Sequence, residues 1–176
     1  MVEMLGVLAI VGVLSVGGIA GYSQAMSKFK VTKAMDQVQT IITNMRTLYA
    51  SSRTYSALNA QTANSVGILT TETYTGTGSK GINPFGGDIV FGVGNDNRTF
   101  TVQYTKMTPE ACVKMATADW GADESSGLMS ITVGNTSYKW VSMGGTGTKV
   151  LPVSVAEAVS QCGSNSAATS VTWEYR

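Results

Sequence analysis

The sequence predicts an α+β fold, in which one long N-terminal helix, apolar in its first half, packs on an antiparallel β-sheet domain with short helices. Residues 4–22 form an apolar run without a charged residue. Helical spacing of apolar residues continues beyond this run, and the first proline is Pro84. Alternating, β-like segments separated by turn residues occupy the remainder of the chain. At 176 residues, the chain is long enough for one domain of ordinary size.

The composition excludes several classes of function. Charged residues make up 13% of the chain and the formal net charge is +1, which argues against a basic nucleic-acid-binding face. Histidine is absent, which excludes Ser/His/Asp and Cys/His catalytic arrangements and the common imidazole metal sites. We therefore predict neither an enzyme nor a cofactor-binding protein.

The apolar run at residues 4–22 is long enough to cross a membrane. A helix of about 20 residues spans the hydrocarbon layer, and Ser15 is the one clearly polar residue in this run. A retained signal peptide and a plain single-pass anchor are the alternatives. Glu3 lies at the start of this run. If it entered the hydrocarbon layer with the helix, its carboxylate would need a partner. A position of Glu3 in the headgroup layer is equally compatible with the sequence.

Glycines are concentrated in this apolar segment, at Gly12, Gly17, Gly18 and Gly21. Gly17 and Gly21 have the small-x-x-x-small spacing that lets helix backbones approach closely. Glycine is also common in membrane helices, so the spacing alone is a weak signal.

The helix is predicted to continue as an amphipathic stem, because apolar residues recur three and four positions apart. These residues are Val31, Met35, Val38, Ile42, Met45 and Tyr49. We divide the chain into a helix over residues 1–53 and a head over residues 54–176, with the helix split into an apolar part at 1–24 and a stem at 25–53.

The stem carries five basic residues and one acidic residue, Asp36, and the head is mildly acidic. This charge pattern would suit head-to-stem contact between copies, or would mark a membrane boundary at Lys28, Lys30 and Lys33. In the second case the positive-inside rule would place the head in the cytoplasm.

The head is predicted to contain two hairpins, two short helices and a final strand. Strands are expected at residues 88–92, 98–104, 128–133, 137–142 and 170–175, and helices at 109–120 and 155–162. Thr108 and Ser154 are the predicted helix N-caps. Residues 60–87 are rich in Thr, Ser, Gly and Asn and are predicted to form a long exposed loop. The glycine-rich stretches at 76–81 and 144–147 lack a phosphate-binding motif and are predicted to be turns.

Cys112 and Cys162 are the only cysteines in the sequence. Two cysteines without histidine make a poor zinc site, and a pair in a loop-rich domain favours a disulfide in an oxidising compartment. Two buried free thiols are the alternative. We predict no metal site, since the acidic residues lack the spacing of a calcium loop and fit solvated surface carboxylates better. The acidic residues considered are Asp96, Asp119, Asp123 and Glu124.

Residues 2–10, with the sequence VEMLGVLAI, resemble the start of mature type IV pilins. In that family a long apolar helix begins with a glutamate near the processed N-terminus. Here Glu3 lies about two residues closer to the start of the chain than that glutamate. The family's basic leader peptide is not part of the sequence. Later segments extend the resemblance to the type IVb subclass, that of bundle-forming and thin-pilus pilins of Gram-negative bacteria. They are Asn-Pro-Phe-Gly-Gly at 83–87, Ala-Cys-Val at 111–113, Ala-Glu-Ala at 156–158 and the terminal strand.

The resemblance implies a structural subunit that polymerises through its N-terminal helix into an extracellular filament for adhesion, aggregation or conjugative contact. It implies an inner-membrane single-pass form before assembly, with the head outside the cytoplasm, and the pilus assembly machinery and a prepilin peptidase as partners. Glu3 would neutralise the N-terminal amine of a neighbouring subunit. Gly12, Gly17, Gly18 and Gly21 would permit close packing or local unwinding, with ordinary packing in an unbroken helix as the alternative. A type II secretion pseudopilin and a membrane-tethered monomeric binding domain are the competing functional hypotheses.

Overall fold

A computed structural model describes residues 2–52, 54–74, 76, 78–94, 97–143, 149–163 and 169–176. The helices are α1 (Val2–Tyr49), α2 (Ala60–Ser65), α3 (Pro109–Thr117) and α4 (Val155–Cys162). The strands are β1 (Gly81–Ile82), β2 (Asp88–Val93), β3 (Phe100–Tyr104), β4 (Leu128–Val133), β5 (Thr136–Lys139), β6 (Lys149–Val150) and β7 (Val171–Tyr175). The predicted α+β class is confirmed.

Helix α1 is a single continuous helix of 48 residues. At 1.5 Å per residue its length is about 72 Å. The head covers only the C-terminal half of this helix, along one stripe. The buried members of the stripe are Val31, Ala34, Val38, Ile41, Ile42 and Met45. Their three- and four-residue spacing confirms the amphipathic stem. Ser52 ends the helix by donating its backbone N–H to the Tyr49 carbonyl at 3.0 Å.

Within the described residues, the strands form one seven-stranded sheet in the order β1-β2-β3-β7-β4-β5-β6. Neighbouring strands are antiparallel except β5 and β6, which are parallel. The C-terminal strand β7 therefore lies at the centre, where Trp173 is opposite Val102 of β3 and Ile131 of β4. Alternate residues of β3 and β7 are buried. This face packs with the α1 stripe into one hydrophobic core.

The two helices predicted in the head are present and begin at the predicted caps. The Thr108 hydroxyl accepts a hydrogen bond from the Ala111 N–H, and the Ser154 hydroxyl accepts one from the Glu157 N–H. Helix α3 ends at Thr117, three residues earlier than predicted. Strand β5 likewise ends at Lys139, before the predicted limit of residue 142.

The prediction of a long exposed loop over residues 60–87 is wrong. Asn59 caps α2 by accepting a hydrogen bond from the Thr62 N–H, and β1 pairs with β2 further along the segment. Buried apolar residues anchor the segment to the core, at Ala60, Ala63, Ile68, Leu69 and Tyr74. These apolar residues are sparse among Thr, Ser and Gly, which explains why the pattern resembled a solvated loop.

Of the two predicted glycine turns, the one at residues 76–81 lies mostly within the described residues. Gly76 and Gly78 have φ angles of 81° and 87°, in the left-handed region that favours glycine, as a turn requires. The predicted turn at residues 144–147 lies outside the described residues, as does Asp96.

Candidate assembly site

The N-terminal half of α1 carries a large apolar surface that the head leaves uncovered. The bulky apolar side chains between Val2 and Tyr22 are between 53% and 82% exposed. The most apolar 18-residue window of α1 has a mean hydropathy of 2.2, and none of it is buried in the chain. By length and composition this segment could span a membrane. An uncovered apolar surface of this size marks a site of contact with lipid or with other protein.

Glu3 lies in the first turn of α1 and is exposed. Within the described part of the chain, it makes no ion pair. A carboxylate at a helix N-terminus is favoured by the helix dipole, so its position is stable without a partner in water. In an apolar environment the same carboxylate would need a cation. The structure therefore leaves Glu3 available to a partner from outside the chain.

The glycines at positions 12, 17, 18 and 21 are all helical in the free chain, and α1 is unbroken through them. A Cβ atom placed on any of the four would meet no other atom within 4 Å. Within the described part of the chain, their small size therefore has no packing function.

Two stem cations contact the head of their own chain. Lys33 Nζ lies 2.7 Å from Glu72 Oε2, and Arg46 Nη1 donates a hydrogen bond of 2.8 Å to the Ser126 carbonyl. The hydrogen bond and the positive charge of Lys33 lower the pKa of Glu72. The charge pattern of the sequence suggested contact between the basic stem of one copy and the acidic head of another. Lys33 of the stem instead pairs with Glu72 in the head of its own chain.

Exposed aromatic residues accompany the lysines that follow the apolar run of α1. Tyr22 and Phe29 are 68% and 60% exposed and lie seven residues apart, on one face of α1. Lys28 and Lys30 flank Phe29 and are also exposed. Aromatic rings followed by lysines are typical of the membrane–water interface. Their position just after the apolar run was the signal available in the sequence.

Cys112 of α3 and Cys162 of α4 form a disulfide with a Cα–Cα distance of 5.8 Å. Both residues are fully buried. The disulfide prediction is confirmed, and the alternative of two free thiols is wrong. Because α3 also contacts α1, the disulfide fastens α4 to the part of the head that lies on the stem.

The described acidic residues that were considered as metal ligands accept hydrogen bonds from nearby groups of the head. Asp119 accepts a hydrogen bond from the Gly121 N–H. Asp123 accepts hydrogen bonds from the hydroxyl and the backbone N–H of Ser125, which lower the pKa of its carboxyl. Glu124 accepts a hydrogen bond from the Ser142 hydroxyl.

Comparisons with known proteins agree with this architecture. Residues 28–174 match the family described as PilS N terminal. The major structural subunits of the bundle-forming pilus from Escherichia coli O111:H- and from E. coli O127:H6 (strain E2348/69 / EPEC) are each 24% identical to this chain over 175 residues. Each alignment covers 98% of this chain and 91% of the relative.

A solved structure shares the fold. The crystal structure of TcpA, a type IV pilin from Vibrio cholerae El Tor biotype, superposes with a TM-score of 0.59 at 17% sequence identity. The match covers 84% of this chain and 99% of TcpA. The long apolar helix on an antiparallel sheet is thus the pilin fold, and the resemblance predicted from residues 2–10 is confirmed. The chain therefore belongs to the PilS N-terminal family and is a type IV pilin of the type IVb subclass.

Proposed function

We propose that this chain is the major structural subunit of a type IVb pilus, an extracellular filament of identical subunits that serves adhesion, aggregation or conjugative contact. The observation that carries the proposal is the apolar half of α1, which is exposed along its whole length while the stem and head form a complete core. Two relatives named as major structural subunits of a bundle-forming pilus support it.

The exposed helix would have two successive environments. Before assembly, residues 4–22 would lie in the inner membrane, with Tyr22, Phe29 and the adjacent lysines at its surface and the oxidised head on the periplasmic side. In the filament, the same surface would be covered by the helices of neighbouring subunits. Both environments remove the apolar side chains from water, so the transfer between them costs little hydrophobic free energy.

The partners in this proposal are other copies of the chain, the inner membrane, a prepilin peptidase and the pilus assembly machinery. The proposed role is structural and requires neither catalysis nor a cofactor. The disulfide between Cys112 and Cys162 suits export, since disulfides persist in oxidising compartments.

The proposal is tested by electron microscopy of material sheared from the cell surface and labelled with an antibody against the head. A strain lacking the gene, and the same strain complemented with it, are the controls. We expect filaments labelled along their length that disappear in the deletion strain. Label confined to the inner membrane would instead favour a membrane-tethered monomer, and filaments that persist unlabelled in the deletion strain would exclude a major-subunit role.

A further inference from the structure

A small pocket lies in the head, where α3 ends and the chain turns towards β4. It has a volume of about 230 Å³, less than the 300–1,000 Å³ or so of sites for drug-sized molecules, so it suits a small ligand or a single side chain. Its apolar walls include Trp120, Leu128, Trp140 and Leu151. Asp119 is the only charged residue among the described residues that line it. We call this site the tryptophan pocket.

Hydrogen bonds to the backbone fix both tryptophan walls. Trp120 Nε1 donates to the Met115 carbonyl at 2.6 Å, and Trp140 Nε1 donates to the Leu128 carbonyl at 2.7 Å. The ring of Trp120 also packs against that of Trp173, with a centroid distance of 4.9 Å. The pocket is therefore preorganised, and a ligand would bind without first ordering these walls.

The side chains that line the pocket offer no free hydrogen-bond donor. The Thr117 hydroxyl donates to the Val113 carbonyl at 2.8 Å, and the N–H groups of Trp120 and Trp140 are used as described. The other described lining residues carry no side-chain donor. An anion, which needs donors, therefore finds no side chain to bind it in this pocket.

Asp119 supplies a free acceptor. Its Oδ1 accepts a hydrogen bond from the Gly121 N–H at 3.1 Å, whereas its Oδ2 receives neither a hydrogen bond nor an ion pair from the described residues. Arg46 lines a neighbouring groove together with Asp119, but its guanidinium donates to the Ser126 carbonyl and forms no ion pair with Asp119. Because Asp119 is exposed, a ligand from solution can reach its carboxylate.

Two further features of the pocket favour positive charge. Ala116 and Thr117, the last residues of α3, line it, and the C-terminal end of a helix carries partial negative charge. Lys114 of the same turn pairs with Glu110 at 2.6 Å and does not line the pocket. The faces of indole rings also attract cations. The carboxylate, the helix end and the indoles thus all select for a cation.

We propose that the tryptophan pocket binds a primary alkylammonium group, which donates hydrogen bonds to the Asp119 carboxylate and packs its alkyl chain against Trp120 and Trp140. A primary ammonium is favoured over a quaternary one because it has the N–H donors that the free Oδ2 atom can accept. The group would come either from a free amine or from a lysine side chain of another protein molecule. The pocket is formed in the single chain, so this site is independent of the filament proposed above.

The first test titrates the full chain in detergent micelles with n-butylammonium chloride and follows tryptophan fluorescence, against sodium chloride at equal ionic strength. We expect a saturable change with n-butylammonium that sodium does not produce. Asp119→Asn should weaken the apparent affinity about tenfold, because it replaces a charge-assisted hydrogen bond with a neutral one and keeps the size of the side chain. Asp123→Asn alters an exposed aspartate outside the pocket, and this matched control should bind n-butylammonium as the unaltered chain does.

Two other probes and a second pair of variants separate charge recognition from apolar binding. Tetramethylammonium has the charge without N–H donors and n-butanol has the alkyl chain without the charge, so both should bind more weakly than n-butylammonium. Trp140→Leu should also weaken binding, and Trp140→Phe should give an intermediate affinity because it keeps an aromatic ring. Circular dichroism and the presence of the Cys112–Cys162 disulfide establish that each variant is folded.

The outcomes are distinct. Tetramethylammonium or n-butanol binding as tightly as n-butylammonium, or an unchanged n-butylammonium affinity in Asp119→Asn, would overturn the proposal. The amide of N-acetyl-lysine distinguishes the two sources of the ammonium group. Competition by this compound at concentrations similar to those of n-butylammonium assigns the pocket to a lysine side chain, and binding of n-butylammonium without such competition assigns it to a free amine.

Discussion

Lys33 of the stem and Glu72 of the head form an ion pair with an Nζ–Oε2 distance of 2.7 Å. Glu72 belongs to the segment at residues 60–87, so the pair fastens a stretch with little regular structure to the long helix. The side chains of Lys33 and Glu72 are 40% and 68% exposed, and ion pairs this accessible to water contribute modestly and are screened by salt. The pair helps to set the position of the segment, while the buried apolar residues hold it in place.

Acid should weaken this link. Lys33 lowers the pKa of Glu72 below its usual value of 4.5, so the folded state binds this proton less readily than the unfolded state. The stabilisation by the pair is therefore present above pH 4.5 and is lost as the pH falls through the lowered pKa. We expect Glu72→Gln to be less stable than the unaltered chain near neutral pH and to converge with it in acid. Urea unfolding of the full chain in micelles, near neutral pH and in acid, measures the difference in stability between the variant and the unaltered chain. A difference that grows in acid would contradict the assignment.

Packing of the stem on the head should depend on Met45. Met45 is fully buried, whereas Leu48, one turn further along α1, is 47% exposed. Met45→Ala should lower the free energy of unfolding by about 2–5 kcal/mol, because it leaves a cavity between α1 and the sheet. Leu48→Ala is the matched control and should change the free energy of unfolding by less than about 1 kcal/mol. Denaturant unfolding followed by tryptophan fluorescence measures both variants, and equal effects would show that the stem is not part of the core.

Local signals were sufficient to predict much of this fold. The α1 stripe, the hairpin of β2 and β3, and the caps at Thr108 and Ser154 each depend on residues close together in the chain. Helix α2 was missed because its buried residues are alanines, which resemble loop composition when Thr and Ser surround them. Its signal was the cap at Asn59 with Ala60 and Ala63 three residues apart.

Long-range order could not be predicted in the same way. The alternating pattern of β7 indicated a strand, but its insertion between β3 and β4 depends on pairing with residues far away in the chain. The same holds for the sites. Glu3 and the glycines lie in one apolar run and are visible in the sequence, whereas Lys33 and Glu72 meet only because the fold places the segment at residues 60–87 against the stem.

Loss of the disulfide should destabilise the head. The bond closes a sequence separation of 50 residues, and in the loop-entropy model such a closure contributes on the order of 4 kcal/mol. The double variant Cys112→Ala/Cys162→Ala should therefore unfold at a markedly lower denaturant concentration. A reducing agent should destabilise the unaltered chain but leave the double variant unaffected, which serves as the control. Non-reducing peptide mapping of exported protein checks the bond directly, and two free thiols there would refute it.

Glu3 should be required for assembly but not for insertion into the membrane. We expect Glu3→Ala to remain in the membrane with a folded, oxidised head, and to reduce the yield of sheared filaments by tenfold or more. The physical reason is the unpaired amine that the variant would leave in the apolar filament core, at a cost of about 3–5 kcal/mol. Glu110→Gln, which alters an exposed carboxylate of the head, is the control and should assemble normally. Normal piliation by Glu3→Ala would refute the pairing.

The glycines of α1 should matter in the filament and not in the free chain. Each glycine lowers helix stability by roughly 1 kcal/mol relative to alanine, and none of the four has a neighbour within 4 Å that an added Cβ would meet. The variant with alanine at positions 12, 17, 18 and 21 should therefore keep a continuous α1 and insert into membranes.

In the filament, we expect the helices to pack closely and α1 to unwind locally between Gly12 and Gly21. The alanine variant should therefore assemble poorly. Unwinding would use the low helix propensity of these glycines, and close approach would use their missing side chains, so alanine opposes both. The variant Val13→Ala is the control, since it changes a neighbouring exposed residue without adding a Cβ to any glycine. A filament map at side-chain resolution decides the question. Density that is helical without interruption from Leu5 to Tyr49 would reject unwinding and leave close packing as the function of these glycines.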